Sequence, residues 1–173
     1  KTGFFDKIFG EKTDSIINYV DRNLLICRFI NPLIDKKRLV FICPPFSEKE
    51  SGFPLILQKA FRIAQEFSVP VVLYAEEKTY EAIQIMMKSL KISSKINFKP
   101  FTYWEDFLVI TKDLEPNDLI VFTASRRGSI SYTPALEKIP SKFERYLDQN
   151  DLIVIYPQEH VSGISMDDYE NFN

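Results

Sequence analysis

Histidine and cysteine are nearly absent from this 173-residue sequence, and their scarcity excludes several kinds of functional site. The single histidine is His160, and the two cysteines, Cys27 and Cys43, lie in apolar runs without a second ligand at metal-binding spacing. Zinc sites need three or four such ligands, and a serine or cysteine nucleophile needs a base beside it. We therefore predict no metal site and no catalytic residues, and we expect a protein that is not an enzyme.

An excess of charge of one sign and long apolar runs are also missing. The 22 basic and 24 acidic residues give a net charge of −2, so no strong field attracts nucleic acid, which we do not expect as a partner. No apolar run reaches the roughly 18 residues that cross a bilayer, and the N-terminus lacks the layout of a signal peptide. We expect no direct membrane insertion by this segment and a reducing, cytoplasmic setting.

The sequence does contain a regular alternation of apolar β-prone runs and helical patterns. Several runs are continuously apolar, as in strands buried on both faces, and helical spacing recurs between the runs. This alternation is typical of an α/β fold with right-handed crossovers. We predict a three-layer, doubly wound parallel sheet of five strands in the order 3-2-1-4-5. The predicted strands are residues 39–43, 69–74, 96–101, 119–122 and 151–156.

The pattern divides the chain into one domain with flanking segments. Residues 22–158 carry the alternation, residues 1–21 form a partly helical lead-in, and residues 159–173 form an acidic tail that we expect to be disordered. Residues 22–30 are apolar but irregular, and both an edge strand and a helix end fit them. Because the chain starts at Lys1 without an initiator methionine, we expect a processed start or a domain taken from a longer protein.

The loop after the fourth predicted strand carries the side chains of an anion-binding site. It offers two guanidinium groups, hydroxyls and a glycine, which are the usual parts of a phosphate cradle. In doubly wound sheets ligands bind where the strand order reverses, which here places residues 44–52 opposite residues 123–133. The alternative is a solvated loop whose serines cap turns and whose arginines pair with Glu48 or Glu50. The candidate residues are Ser125, Arg126, Arg127, Gly128, Ser129, Ser131 and Ser141.

The last predicted strand, residues 151–156, is apolar throughout its centre and would form one edge of the sheet. A long apolar edge of this kind invites pairing with a strand of another chain. We therefore predict a homodimer through residues 151–156, and coverage of this strand by the N-terminal lead-in is the alternative.

The element order, with residues 118–121 followed by a Gly/Ser loop, a helix and a closing strand, resembles the universal stress protein fold of the adenine nucleotide alpha hydrolase-like class. Residues 31–33 (Asn-Pro-Leu), 43–45 (Cys-Pro-Pro), 124–132 and 152–157 resemble the C-terminal cytoplasmic domain of bacterial cation:proton antiporters. In those transporters a domain of this type follows the transmembrane exchanger.

The resemblance implies a cytosolic, non-catalytic regulatory domain of a cation:proton (Na⁺/H⁺) antiporter at the cytoplasmic face of the bacterial inner membrane. It implies an upstream transmembrane exchanger domain as a partner, and a role in sensing a small ligand or in dimerisation. The alternative is a stand-alone, nucleotide-binding universal stress protein.

Family members that bind ATP carry Gly-x2-Gly-x9-Gly-Ser/Thr after the fourth strand, because glycine lets the backbone approach phosphate. Aligning this pattern on Gly128 puts Ser131 and Ser141 at the other glycine positions and Lys142 at the hydroxyl position. The acidic residue that such proteins place after the first strand is replaced by Pro44-Pro45. The sequence therefore assigns no cofactor with certainty, and ATP or another adenine nucleotide stays open as a ligand of the alternative.

Overall fold

The computed structural model describes residues 11–137 and 139–159. Residues 1–10 of the predicted lead-in and nearly all of the predicted acidic tail, including His160, lie outside these residues. Within them, no helix is both long enough and apolar enough to cross a membrane.

The described residues form an α/β structure with one sheet and helices on both of its faces. The strands are β1 (Leu24–Arg28), β2 (Arg38–Ile42), β3 (Val71–Ala75), β4 (Ile96–Pro100), β5 (Asp118–Thr123) and β6 (Asp151–Tyr156). The helices are α1 (Glu11–Tyr19), α2 (Phe53–Glu66), α3 (Glu77–Ser89), α4 (Leu108–Thr111), α5 (Pro134–Glu137) and α6 (Ile139–Tyr146). Short 3₁₀ turns span Leu33–Asp35, Ser47–Lys49 and Trp104–Asp106.

The sheet has six strands in the order β1-β6-β5-β2-β3-β4, and all neighbouring strands except β1 and β6 are parallel. The prediction of a mostly parallel α/β sheet is confirmed, but the sheet has six strands and not the predicted five, so its order differs from the prediction by the addition of β1 beside β6. The five predicted strands keep the relative order 3-2-1-4-5. The unassigned stretch at residues 22–30 contains the sixth strand. Its apolar residues fall on both faces, so the sequence shows no clear alternation there.

The strand β6 is not an edge of the sheet. The antiparallel strand β1 pairs along all of it, from Leu24 opposite Tyr156 to Arg28 opposite Leu152. The expected exposed edge was therefore wrong, because a strand from the N-terminal part of the chain covers it. A homodimer through residues 151–156 would have to displace β1, and dimerisation itself stays a prediction.

The core lies on both faces of the sheet. The strands β3, β5 and β6 are buried at every position, which is the pattern of strands enclosed between two helical layers. One face packs against residues of α1, α4, α5 and α6, and the other face packs against α2 and α3. Each buried Leu, Ile or Phe contributes about 1.5–3 kcal/mol, so the two layers supply most of the stabilisation.

Two ion pairs hold the beginnings of the strands together. Arg38 forms a bidentate pair with Asp118, with distances of 2.6 Å from Nε to Oδ1 and 2.8 Å from Nη2 to Oδ2. The fully buried Lys36 Nζ lies 2.6 Å from Asp151 Oδ2. Asp151 Oδ1 accepts hydrogen bonds from the backbone N–H groups of Ile30 and Asn31 as well. Asp151 thereby ties the connection between β1 and β2 to the beginning of β6.

Burial alone would raise the pKa of Asp151, but Lys36 and the two backbone N–H groups outweigh it and hold the pKa below its usual value. A carboxyl group whose pKa is lower in the folded state stabilises the protein above its unfolded pKa, and that contribution is lost as the pH falls through the folded value. We expect part of the free energy of unfolding to disappear below about pH 4.

Replacing Asp151 with Asn should therefore lower the free energy of unfolding by about 3–5 kcal/mol at pH 7, because Lys36 would stay buried without a counter-charge. Urea unfolding at pH 7 and at pH 4 measures the loss and its pH dependence. The matched control is Asp148→Asn, an exposed carboxyl group nearby, which should change stability by less than about 0.5 kcal/mol. Equal stability of the two variants at pH 7 would contradict the assigned role of Asp151.

Candidate functional site

The strand order reverses between β2 and β5, and two cavities lie at this carboxyl end of the sheet. The loop cavity, of about 220 Å³, is lined by Ile17, Asn18, Ala124, Ser125, Arg126, Arg127, Tyr132, Leu136, Glu137 and Tyr156. The switch crevice, of about 390 Å³, is lined by Pro45, Glu76, Thr102, Trp104, Glu105, Thr133, Pro134, Ala135 and Leu136. Leu136 of α5 belongs to both linings, so this short helix borders both cavities.

Arg126, which the sequence singled out for anion binding, instead binds backbone carbonyl groups. Its Nε donates to the carbonyl of Ile17 at 2.6 Å, and its Nη2 donates to that of Arg22 at 2.8 Å. Its Nη1 donates to the carbonyl of Pro157, just after β6. The residue is 4% exposed, and burial lowers the pKa of its guanidinium. Arg126 therefore connects α1, the segment before β1 and the end of β6, an arrangement that we call the Arg126 clamp.

Ser131 also binds a group of the protein itself. The carboxylate Oε1 of buried Glu50 accepts hydrogen bonds from the Ser131 N–H at 2.8 Å and from its hydroxyl at 2.6 Å. The loop thus holds an internal carboxylate with the donors that the sequence suggested for phosphate. The predicted alternative was right that Glu50 pairs with this loop, but the partner is a serine and not an arginine.

Two further candidate residues have different roles: Arg127 lines the loop cavity, and Gly128 forms a turn in the loop. Arg127 is exposed and pairs with Glu137, whose Oε2 also accepts a hydrogen bond from Tyr132 at 3.0 Å. Gly128 has a φ of +89°, in the left-handed region that favours glycine, and no atom lies within 4 Å of where a Cβ would be. Its role is to form the turn.

The loop cavity brings together only three of the candidate residues, Ser125, Arg126 and Arg127. The hydroxyl of Ser129 is buried without a hydrogen-bond partner. The side chain of Ser141 lies outside the part of the chain that the structure describes, although its backbone belongs to α6. The predicted set is therefore not assembled around one ligand position.

The switch crevice lies where the sequence places a ligand, between the segments that follow β2 and β5. Pro45 and Thr133 come from those two segments, and the crevice extends to residues that follow β3 and β4. The sequence analysis did not single out two of the lining residues, Glu76 and Trp104. The available signal was position, because each follows a parallel strand and the carboxyl ends of such strands meet at one edge of the sheet.

The switch crevice has an acidic lining. Burial raises the pKa of Glu76, and the nearby carboxylate of Glu48 raises it further, while Lys78 offsets part of the rise. One carboxylate oxygen of Glu48 is itself buried without a hydrogen-bond partner. Among the described lining residues there is no lysine or arginine, while Glu76 and Glu105 are both present. This environment is unfavourable for a triphosphate, which needs cationic groups or backbone donors.

The described residues offer little for binding a metal ion or for a reaction at a thiol. Within residues 11–137 and 139–159, no group of three His, Cys, Asp or Glu side chains could hold a metal ion. Cys43 is fully buried, and burial strongly raises the pKa of its thiol. A thiol in this state is a poor nucleophile because the thiolate is the reactive form.

No protein-family model matches the sequence, and no curated protein matches it either.

The Arg126 clamp can be tested by comparing a variant of Arg126 with a variant of Arg127, the next residue in the loop. Arg126→Ala should lower the free energy of unfolding by on the order of 3 kcal/mol, because three carbonyl groups, two of them in buried hydrogen bonds, lose a charged donor. Hydrogen exchange should accelerate in α1 and in residues 20–23, which the clamp attaches to the sheet. Arg127→Ala removes an exposed ion pair and should cost less than about 1 kcal/mol. Equal stability and equal exchange in the two variants would refute the clamp.

Proposed function

We propose that this chain is the cytosolic, non-catalytic regulatory domain of a bacterial membrane cation:proton antiporter, in which an exchanger domain precedes it. The observation that carries the proposal is the Arg126 clamp, which joins α1 to the carboxyl end of the sheet. A change at that end of the sheet can then reach the chain that precedes α1. The resemblance of residues 22–158 to the cytoplasmic domains of such antiporters supports the same conclusion.

The two cavities provide a route for regulation. Leu136 is 4% exposed and lies in the lining of both, so a ligand that shifts α5 changes the two cavities together. The loop cavity contains Arg126 and, from α1, Ile17 and Asn18. Movement of α5 is therefore transmitted through the loop to the clamp and then to α1.

The alternative function is a stand-alone, nucleotide-binding universal stress protein. Three observations argue against it. The buried donors of Arg126 bind backbone carbonyl groups. The buried donors of Ser131 bind the Glu50 carboxylate. The switch crevice presents Glu76 and Glu105 to a ligand. A nucleotide would have to displace the Glu50 carboxylate from Ser131 or bind beside two acidic side chains.

Transport measurements on the full-length gene product test the proposal. In everted membrane vesicles, addition of Na⁺ or K⁺ should collapse a proton gradient when the full-length product is present. Deleting the region of this chain or introducing Arg126→Ala should preserve exchange but change its dependence on pH, because the coupling to α1 is lost. Arg127→Ala is the matched control and should behave like the parent protein.

Two results would contradict the proposal. One is a gene whose product has no transmembrane helices before the position of Lys1. The other is an exchange activity whose rate and pH dependence are the same with and without this region.

Calorimetric titration of the isolated chain separates the proposal from its alternative. We expect no saturable heat with ATP, ADP, AMP or cyclic dinucleotides, because the loop donors are already occupied. Saturable binding that disappears in Arg127→Ala would instead support the nucleotide-binding alternative.

A further inference from the structure

The strand β1 is an edge of the sheet without the features that usually prevent pairing with another chain. One side of β1 pairs with β6, and the backbone groups on its other side have no partner strand in the described sheet. Its only charged residue is Arg28, whose Nη2 donates hydrogen bonds to the backbone carbonyls of Leu147 and Asn150. A charged side chain protects an edge when it projects over it, but this guanidinium binds the protein's own backbone instead. The edge β1 is therefore open to another strand.

One face of β1 exposes a row of apolar side chains. Leu25 and Cys27 stand opposite Ile155 and Ile153 of β6, which belong to the core under α2 and α3. Those two isoleucines are buried, but Leu25 is 48% exposed and Cys27 is exposed as well. Phe29, at the next position of the same alternation, is 51% exposed. The helices on this face thus cover β6 and leave Leu25, Cys27 and Phe29 uncovered, and we call these three residues the β1 stripe.

Exposed apolar side chains are concentrated around β1. Half of the large apolar side chains that the described residues expose lie between residues 16 and 34. Single apolar residues are normal on a protein surface, whereas a concentration of this kind is typical of a surface that another molecule covers. The β1 stripe is therefore a candidate interface.

Symmetry makes a second copy of this chain the partner that fits the stripe. A two-fold axis perpendicular to the sheet at Cys27 would place β1 antiparallel to β1 of the second copy, with the side chains of each pair on the same face. In this register Leu25 stands opposite Phe29 of the second copy, and Cys27 stands opposite Cys27. Every pair on the stripe is then apolar, and Arg28 stands opposite Ile26, so no like charges face each other.

The other edge of the sheet limits such an assembly to two copies. The strand β4 carries Lys99 and Pro100, which discourage pairing. Two copies joined through β1 use the open edge of both and present only β4 at the ends of the combined sheet. The symmetry is closed, and the product is a dimer and not a fibre.

We propose that this chain forms a homodimer through β1, in which the β1 stripe of each copy packs against the β1 stripe of the other. This dimer differs from one through residues 151–156, because β1 already occupies that strand. The proposal rests on the sheet edge and is independent of any attachment to an antiporter.

Sedimentation equilibrium of the isolated chain over a range of concentrations tests the proposal. We expect a reversible equilibrium between monomer and dimer. Leu25→Lys should weaken dimerisation at least about 100-fold, because each dimer would bury two lysines among apolar side chains. Ile85→Lys makes the same change at an exposed residue of α3 and should leave the dissociation constant unchanged. Circular dichroism and thermal unfolding check that both variants are folded.

Cross-linking locates the interface without a substitution in β1. The chain has two cysteines and Cys43 is fully buried, so a short bis-maleimide reagent reacts at Cys27. We expect a covalent dimer of the parent chain, because the two Cys27 thiols are adjacent across the two-fold axis. Cys27→Ser should give no covalent dimer and should keep the sedimentation behaviour of the parent. This measurement decides the matter if Leu25→Lys fails to fold.

Several outcomes would overturn the proposal. A monomeric mass at every concentration would do so and would leave β1 to a strand of a different protein. An unchanged dissociation constant in Leu25→Lys would place the interface elsewhere, and species that keep growing beyond the dimer would show that β4 does not close the assembly. None of these results depends on cation exchange, so they leave the proposed antiporter function to its own test.

Discussion

A buried guanidinium at the carboxyl end of the sheet connects the parts of this protein that are farthest apart in sequence. Arg126 follows β5, and its three carbonyl partners lie in α1, before β1 and after β6. A charged group can be buried only when its hydrogen bonds are satisfied, so these segments have to meet at Arg126. The positions of α1 and β1 at the side of β6 depend on this requirement.

The side chains of the loop after β5 bind groups of the protein itself. Arginine, serine and glycine in this place are the parts of a phosphate site, yet here they stabilise the protein's own structure. Glu50 provides the negative charge that Ser131 binds, and Gly128 forms a turn without a close neighbour. Residue types alone do not distinguish an open anion site from one occupied by an internal carboxylate, because both need the same donors.

The strand β1 determines which edges of the sheet are open to pairing with another chain. Because β1 pairs with β6, the two edges of the sheet are β1 and β4. The edge β4 carries Lys99 and Pro100, which discourage pairing with another chain. The edge β1 leaves Leu25 and Cys27 exposed and has one charged residue, Arg28. Association between copies of this chain, if it uses a sheet edge, therefore has to be sought at β1.

The sequence by itself determined the α/β class and the five parallel strands, because apolar periodicity is a local property of the chain. Only the tertiary structure decided the place of β1, the pairing of Ser131 with Glu50 and the acidic lining around Glu76 and Trp104. Each of these brings together residues distant in sequence, and no local pattern records which charge or carbonyl will face a given side chain. For this physical reason the prediction of an anion-binding loop could not include the internal partners of Arg126 and Ser131.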